Sequence, residues 1–318
     1  MSVNNIAFLF PGQGSQSVGM GRDLNDKFPE ARAVFEEADV ALGFPLSKLC
    51  FEGPDEELRL TENTQPAILT VSVAALRVLE SKGIRASYAA GHSLGEYSAH
   101  VAAGTLSFAD AVRTVRNRGR YMQEAVPPGE GAMAAILGMP SDNVADICLL
   151  AAHETNAVVS AANLNSPEQT VISGAKAAVE RAAELAKGRG AKRAVMLPVS
   201  APFHCALMQP AQDRLTDDLA ALTFSAPQFP VVTTIDAALT TGGSAAREAL
   251  INQVTGSVRW VESMRTLISE SVTHYIEIGP GKVLCGLMRQ IDRSQTCMNV
   301  EDSASLEKTL AALNDSVS

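Results

Sequence analysis

Residues 88–103, YAAGHSLGEYSAHVAA, decide how the chain is expected to fold. The first three residues are typical of a short buried strand, and 94–103 predict a helix. Between them, two glycines flank Ser93 in the pattern Gly-x-Ser-x-Gly, typical of a serine lifted above a sheet on a strained turn. The following helix N-terminus offers backbone N–H groups, notably that of Leu94, to a developing oxyanion. This stretch favours Ser93 as an activated nucleophile, and an ordinary serine at a helix N-cap is the alternative.

Strands and helices alternate on both sides of that turn. Such alternation indicates a mainly parallel sheet covered by helices, so the predicted class is α/β with a large α/β-hydrolase-like domain. Thr64 is expected to cap its helix, with Pro66 tolerated in the first turn, and Ser107 is expected to begin the next helix. The predicted elements are a strand at 6–10, helices at 64–82 and 107–125, and strands at 229–236 and 274–279.

The middle of the chain follows a different order, which is typical of a small inserted domain. Its elements run strand, helix, strand, strand, helix, strand, the βαββαβ order of a ferredoxin-like unit. They are predicted at 131–137, 141–152, 156–163, 170–173, 175–188 and 193–198. We therefore expect a discontinuous large domain at 1–128 and 200–318, interrupted by a ferredoxin-like domain at 129–199.

Composition excludes several classes of protein. Of 318 residues, 46% are hydrophobic and 19% charged, enough apolar side chain for a sizeable core and too much for a disordered chain. The formal net charge of −9 argues against general affinity for nucleic acid or anionic membranes. An acidic protein can still bind an anionic partner, but only through a local basic patch.

Cysteine usage and hydropathy favour a cytoplasmic protein. The five cysteines are scattered without a Cys-x-x-Cys pair, so we expect reduced thiols and neither a disulfide framework nor a zinc site. No apolar run approaches the ~18 residues that a membrane span needs. The N-terminal apolar run lacks a basic flank and stops at Pro11, unlike a signal peptide.

A serine nucleophile needs a general base, and the sequence offers five histidines. His204 follows Pro202 and precedes a predicted helix start, a position well suited to face a cleft. Adjacent side chains on a tight turn diverge, which argues against the histidine next to Ser93. Packing or solvation explains the other four better: His92, His100, His153 and His274.

Six motifs, in order along nearly the whole chain, carry a specific resemblance. They are PGQGSQ (11–16), GHSLGE (91–96), RGRYMQEAVPPGEGAMAA (118–135), NLNSPEQTVISG (163–174), PFHCALM (202–208) and EIGPGKVLCGL (277–287). Together they resemble the malonyl-CoA:acyl carrier protein transacylases, which load malonyl groups for bacterial fatty acid synthesis. The ordered set is far more specific than the serine pattern alone.

The resemblance implies roles at the matching positions. Ser93 would be the nucleophile and His204 its base, and Gln13 would complete an oxyanion hole with the Leu94 N–H. In the family, a carbonyl near one glutamine orients the histidine, where other enzymes use a carboxylate. Gln253 matches that glutamine. The segment after it departs from many relatives, which have a proline where this chain has Gly-Ser before the valine.

Two further matches concern the acyl group. Arg118 matches the arginine that pairs with the free carboxylate of malonate, and a buried carboxylate calls for a planar, two-pronged donor. Without the resemblance, Arg113, Arg116 and Arg120 on the same predicted helix are equal candidates. Phe203 matches a position where phenylalanine accompanies selection of malonyl over methylmalonyl groups, and simple packing is the alternative.

The implied reaction is a ping-pong transfer of malonyl from coenzyme A to the phosphopantetheine thiol of acyl carrier protein. Coenzyme A is then a substrate carrier, and neither a metal nor a bound cofactor is implied. Since the carrier protein is acidic, we expect it to dock on a basic patch. The candidates are Lys282 with Arg289, or the group Lys187, Arg189, Lys192 and Arg193.

Other functions fit parts of the sequence. An α/β-hydrolase esterase or thioesterase would use Ser93, Asp236 and His274, and it would leave Arg118 and the PGQG loop without a purpose. A closer alternative is a transacylase of a polyketide or malonate decarboxylase system. A third is a scaffold that binds a carrier without catalysis, against which the intact serine and histidine argue.

Overall fold

A mainly parallel sheet and a separate antiparallel sheet organise the residues that the computed structural model describes, 5–199 and 201–315. The strands are β1 (Ile6–Phe10), β2 (Tyr88–Gly91), β3 (Gly131–Leu137), β4 (Val159–Ser166), β5 (Gln169–Ala175), β6 (Arg193–Met196), β7 (Val231–Thr233), β8 (Ala238–Thr240), β9 (His274–Ile278) and β10 (Thr296–Val300).

The helices cover both sheets. They are α1 (Arg22–Lys27), α2 (Pro29–Leu42), α3 (Leu46–Glu52), α4 (Asp55–Leu58), α5 (Thr61–Ser81), α6 (Gly95–Ala102), α7 (Phe108–Glu124), α8 (Ser141–Thr155), α9 (Lys176–Gly188), α10 (Gln209–Ala220), α11 (Gly243–Asn252), α12 (Trp260–Ser269), α13 (Val283–Ile291) and α14 (Ser303–Asp315). A short 3-10 helix spans Ala206–Met208. No helix within 5–199 or 201–315 has the length and hydropathy to cross a membrane.

The six-stranded sheet has the order β10-β9-β1-β2-β7-β8. Its first five strands run parallel, and β8 pairs antiparallel with β7 at the edge. All five residues of β1 are buried, because helices pack on both faces of a parallel sheet. Ser93 follows the carboxyl end of the neighbouring β2, which is where ligands bind in open α/β sheets.

The four-stranded antiparallel sheet has the order β4-β5-β3-β6 and is built from one continuous segment. Its elements follow the predicted sequence β3, α8, β4, β5, α9, β6. Ile136, Ile147 and Val179 belong to an apolar core separate from that of the large sheet. A single bridge between Asn163 and Val258 joins β4 to the segment before α12.

Several boundaries differ from the sequence-based predictions. Helix α5 begins at Thr61, so Thr64 does not cap it and instead donates its hydroxyl to the Leu58 carbonyl at 2.6 Å. Pro66 therefore lies inside the helix. The strand expected at 229–236 covers 231–233 alone, since the chain then turns back into β8. Ser200, where we expected the inserted domain to give way to the large one, lies outside the described residues, as do 1–4 and 316–318.

One expectation about the cysteines is wrong. Cys285 on α13 and Cys297 on β10 are joined by a disulfide, because the two elements place their side chains against each other. Cys50, Cys148 and Cys205 are free and buried, as expected of packing thiols. Burial raises the pKa of the Cys205 thiol, which is consistent with an inert role.

Candidate active site

Ser93 lies on a turn that few residues other than glycine adopt. Its φ is 51°, in the left-handed region, where a side chain is strained. The two flanking glycines make the turn possible: a Cβ on Gly91 would collide with the Gly95 backbone, and one on Gly95 with the carbonyl of Phe10. The strand-to-helix turn expected from the sequence is therefore present, and Ser93 sits at its apex.

Ser93 Oγ lies 2.7 Å from His204 Nε2, although 111 positions separate the two residues. The other ring nitrogen, Nδ1, lies 2.9 Å from the carbonyl of Gln253 and 3.2 Å from that of Gly256. Carbonyl oxygens only accept, so Nδ1 carries the proton and Nε2 is left to accept from the Ser93 hydroxyl. His204, like Ser93, has a positive φ, 59°.

The environment keeps His204 neutral. Burial, together with the positive charge of Arg118, lowers its pKa to about 3, and the two carbonyl contacts offset this only in part. At neutral pH the imidazole is therefore available as a proton acceptor. Among the residues that the structure describes, two backbone carbonyls and no carboxylate contact the ring of His204 at Nδ1.

Arg118 is the buried member of the four arginines on α7, with 2% of its surface exposed. Its Nη1 donates to Gln65 Oε1 at 2.8 Å, and its Nη2 donates to Gln253 Oε1 at 2.9 Å and to Ser93 Oγ at 3.1 Å. Among the described residues, Arg118 forms no ion pair. A guanidinium without an anion, beside an activated serine, is suited to receive a carboxylate.

The remaining arginines of α7 have surface roles. Arg113 pairs with Asp110, Arg116 stacks over the ring of Phe44, and Arg120 donates to Asn117. Burial and the contact with Ser93 thus distinguish Arg118 from the other three arginines of this helix. Arg118 alone points at Ser93.

A cavity of about 290 Å³ opens above the serine. The large-sheet part of the chain contributes Ser93, His204 and Arg118, while β3 and β5 contribute apolar side chains such as Met133 and Val171. The remaining lining residues are Gln13, Gln65, His92, Leu94, Met122, Ala135, Asn163, Asn165, Gln169, Leu197, Val199 and Phe203.

Three other predicted site residues, Gln13, Leu94 and Phe203, border the same cavity, whereas Gln253 is buried and does not line it. Gln13 is exposed in the loop after β1, and its Nε2 donates to Thr61 Oγ1 at 3.4 Å. Leu94 is buried at the N-terminal end of α6, where backbone N–H groups lack partners inside the helix. Phe203 is buried and lies against the cavity next to His204.

The histidines set aside on sequence grounds have other surroundings. His92 Nε2 lies 2.8 Å from Asn165 Oδ1 and its ring packs near Trp260, which links the serine turn to β4. His100 is buried in α6, and burial lowers its pKa to about 4. His274 begins β9 at the amino end of the parallel strands, whereas Ser93 follows the carboxyl end of β2, so His274 cannot complete an esterase triad with Ser93 and Asp236.

Sequence reasoning missed three polar residues of this site. Gln65, Asn165 and Glu96 contact Arg118, His92 and Gln253 respectively. Gln65 lies where the polar start of α5 gives way to its apolar part, and a buried amide at such a place is a signal that a polar partner is near. Glu96 lies in the GHSLGE motif, four positions before His100 and three after Ser93.

The six basic residues considered for docking are all exposed. Lys192 pairs with Glu168 at 3.4 Å. Arg289 lines a second cavity together with Arg293 and Ser166, and Ser166 is adjacent in sequence to Asn165 of the serine cavity. The last turn of α13, which carries Arg289, therefore lies close to the serine cavity. No cluster of potential metal ligands occurs in 5–199 or 201–315.

Comparison with known proteins agrees with this geometry. Residues 7–310 match the family model described as acyl transferase domain. The chain belongs to this family. It is 50% identical over 313 residues to a malonyl CoA-acyl carrier protein transacylase of Bacillus subtilis (strain 168), covering 98% of each chain.

Solved members of the family share the whole fold. An acyl-carrier-protein S-malonyltransferase from Burkholderia pseudomallei 1710b is 48% identical with a TM-score of 0.94, covering 96% of this chain and 99% of that one. A malonyl-transacylase solved in complex with the acyl carrier protein of a type II polyketide system is 46% identical with a TM-score of 0.94, covering 97% and 99%. The family resemblance expected from the six motifs is confirmed.

Proposed function

We propose that this chain transfers malonyl groups from malonyl-CoA to the phosphopantetheine thiol of acyl carrier protein, through a malonyl ester on Ser93, for fatty acid synthesis. The observation that carries the proposal is Arg118, a buried guanidinium without an ion-pair partner among the described residues, whose Nη2 lies 3.1 Å from Ser93 Oγ. A malonyl group places its free carboxylate one CH₂ from the reacting carbonyl, within reach of that guanidinium. The names of the similar proteins support the same reaction.

In the first half-reaction, Ser93 Oγ attacks the thioester carbonyl while His204 Nε2 takes its proton, for which the 2.7 Å contact is suited. The C–S bond breaks, and coenzyme A leaves as a thiol with the proton that His204 returns. Arg118 shifts its Nη2 from Ser93 to the malonyl carboxylate and holds it. In the second half-reaction His204 takes the proton of the carrier thiol as its sulfur attacks the ester carbonyl, the bond to Ser93 Oγ breaks, and His204 returns the proton to the serine.

We assign the negative charge of the tetrahedral intermediate to an oxyanion hole made of the Leu94 N–H and the Gln13 side chain. Both residues border the cavity at Ser93. Donors fixed before the reaction stabilise the charge as it develops. Gln13 is exposed and would complete the hole when the acyl group enters.

Two neighbours of His204 have supporting roles in this scheme. The Gln253 carbonyl fixes the imidazole tautomer through its 2.9 Å contact with Nδ1. Phe203 fills space next to the acyl group, which would disfavour a methyl branch.

We infer that the carrier docks along α13, at Lys282 just before its start and Arg289 in its last turn, because Arg289 lines a cavity together with Ser166, the neighbour of Asn165. The group Lys187, Arg189, Lys192 and Arg193 is the weaker candidate, since Lys192 is already paired with Glu168. We further propose that no metal or bound cofactor takes part, that coenzyme A serves as substrate carrier, and that the protein works in the cytoplasm.

We propose an α/β-hydrolase-like large domain at 1–128 and 200–318 and a ferredoxin-like domain at 129–199. The separate apolar core of the antiparallel unit supports the division, as does its strand order β4-β5-β3-β6. The polyketide alternative rests on one observation, the similarity to a transacylase solved with a type II polyketide carrier. Carrier preference would distinguish the two pathways.

The proposal is tested by mixing the protein with malonyl-CoA labelled in the malonyl group, quenching, and locating label on the protein. We expect stoichiometric label on Ser93, none on Ser93→Ala, and transfer of label to holo acyl carrier protein when that is added. Label that stays on Ser93→Ala, or that never forms on wild type, contradicts the mechanism. Release of free malonate without transfer to the carrier would indicate a thioesterase.

A further inference from the structure

A buried carboxylate lies behind the serine turn, in the motif that also supplies Ser93. Glu96, in the first turn of α6, has no exposed surface. Its Oε2 accepts three hydrogen bonds: from the Thr234 backbone N–H at 2.9 Å, from Thr234 Oγ1 at 2.7 Å, and from Gln253 Nε2 at 2.9 Å. A buried carboxylate costs much unless its charge is compensated, so its position calls for an explanation.

The side-chain amide of Gln253 connects the Glu96 carboxylate to the positive charge of Arg118. Gln253 Nε2 faces Glu96 and also donates to the Ser93 carbonyl at 3.2 Å, while Gln253 Oε1 accepts from Arg118 Nη2 at 2.9 Å. The amide thus stands between a buried anion and a buried cation that do not touch directly. The positive charge of Arg118 in turn helps to hold down the pKa of Glu96, which burial raises.

Chemistry fixes the direction of this bridge. Glu96 Oε2 accepts from the Thr234 backbone N–H, which can only donate, so the same oxygen holds the NH₂ end of Gln253 on its side and turns the amide oxygen towards Arg118. If the amide turned over, its NH₂ group would face the guanidinium, donor against donor. The Gln253 backbone carbonyl meanwhile holds His204 Nδ1 at 2.9 Å. One residue therefore contacts both the substrate-binding arginine and the base.

We propose that Glu96 is a positioning residue for malonyl transfer: by holding the Gln253 amide in one orientation, it aims Arg118 at the carboxylate of the acyl group. Glu96 touches neither the substrate nor the reacting atoms. This inference rests on the proposed function. It predicts a loss specific to acyl groups that carry a carboxylate, beyond any general loss of stability.

The test compares acylation of Ser93 by malonyl-CoA with acylation by acetyl-CoA. In Glu96→Ala the amide is free to turn, and we expect kcat/KM for malonyl-CoA to fall at least tenfold and the malonyl-to-acetyl ratio to fall at least fivefold. Glu96→Gln keeps an oxygen that accepts from Gln253 Nε2, and we expect it to restore most of the ratio. A merely structural role would lower both rates together.

Glu277 provides a matched control. It is another carboxylate without exposed surface, and it caps the start of α13 by accepting from the N–H groups of Leu284 at 3.0 Å and Cys285 at 2.8 Å. Glu277→Ala also removes a buried acid, but it leaves Gln253 in contact with its partners. We expect this variant to unfold more easily than wild type and to keep the wild-type malonyl-to-acetyl ratio.

If Glu96→Ala does not fold, Glu96→Asp replaces it, because one fewer CH₂ withdraws the carboxylate from Gln253. A ratio within twofold of wild type in the folded variant overturns the inference, as does an equal fall of the ratio in Glu277→Ala. Failure of the proposed function looks different, since wild type would then take no label from malonyl-CoA.

Discussion

The two sides of the serine cavity differ in kind. On the large-sheet side, Ser93, His204 and Arg118 are held by short hydrogen bonds among buried groups. On the side of the antiparallel unit, the lining consists of apolar side chains and the neutral amides of Asn163, Asn165 and Gln169. The chemistry and the charge thus reside on one unit, and the other shapes the space without competing for Arg118.

Removing the positive charge of Arg118 from the large-sheet side of the cavity should have the largest effect on malonyl transfer. For Arg118→Ala we expect kcat/KM with malonyl-CoA to fall by roughly 30- to 700-fold, the equivalent of losing about 2–4 kcal/mol from a buried charged contact. Acetyl transfer should fall far less, because acetyl has no carboxylate to bind. Initial rates of Ser93 acylation with the two thioesters measure both.

Arg113→Ala is the natural control for that measurement. It removes an arginine from the same helix, but one that is exposed and paired with Asp110. It should leave the malonyl-to-acetyl ratio unchanged. A malonyl rate near wild type in Arg118→Ala would reject Arg118 as the carboxylate partner.

The pH dependence of acylation tests the buried base on the large-sheet side of the cavity, and its expected effect is of intermediate size. Because a base works when unprotonated, and burial lowers the pKa of His204 to about 3, kcat/KM for acylation should stay within threefold from about pH 8 to pH 5. A histidine with an ordinary pKa near 6.5 would lose roughly 30-fold over that range. Stopped-flow acylation at constant ionic strength distinguishes the two.

Stability sets the acid limit of that experiment. His92, His100 and His204 all have lowered pKa values through burial, so the unfolded chain binds more protons than the folded one as pH falls. The free energy of unfolding therefore keeps the full contribution of these neutral histidines above about pH 6.5, and that contribution is lost progressively as the pH falls below this value. Circular dichroism at each pH separates unfolding from protonation of the base. A rate that falls below pH 6.5 while the fold stays intact would contradict the buried, neutral histidine.

The smallest effect is expected at the surface. Lys282→Glu with Arg289→Glu should raise KM for the carrier protein by about three- to tenfold, since exposed charges act mainly on association. Acylation by malonyl-CoA should be spared, and added salt should shrink the difference. Lys187→Glu with Arg189→Glu tests the rival patch. Unchanged carrier kinetics in the first variant would exclude α13 as the docking site.

Local signals predicted local structure well. Strands 6–10 and 131–137 have the expected bounds, and Ser107 caps α7 by accepting from the Asp110 N–H, as a serine before an amphipathic run should. The early start of α5 was missed because residues before Pro66 carry no strong helix signal. The short β8 was missed because three residues give no periodicity.

In the site, too, the features encoded by neighbouring residues could be predicted and the contacts between distant residues could not. The turn at Ser93 could be predicted, because the two glycines and the flanking elements are adjacent in sequence. The contacts among Gln253, Glu96 and Arg118 join α11, α6 and α7, and no spacing in the sequence encodes which buried amide meets which guanidinium. Only folding brings them together, and the roles assigned to them stay predictions.

The positive φ angles of Ser93 and His204 have an evolutionary consequence. Both residues occupy backbone conformations that glycine adopts without strain, so a glycine at either position would relax the backbone while removing the proposed nucleophile or base. Selection for stability alone would therefore erode this site first. A serine and a histidine at two such strained positions are what a site selected for chemistry predicts.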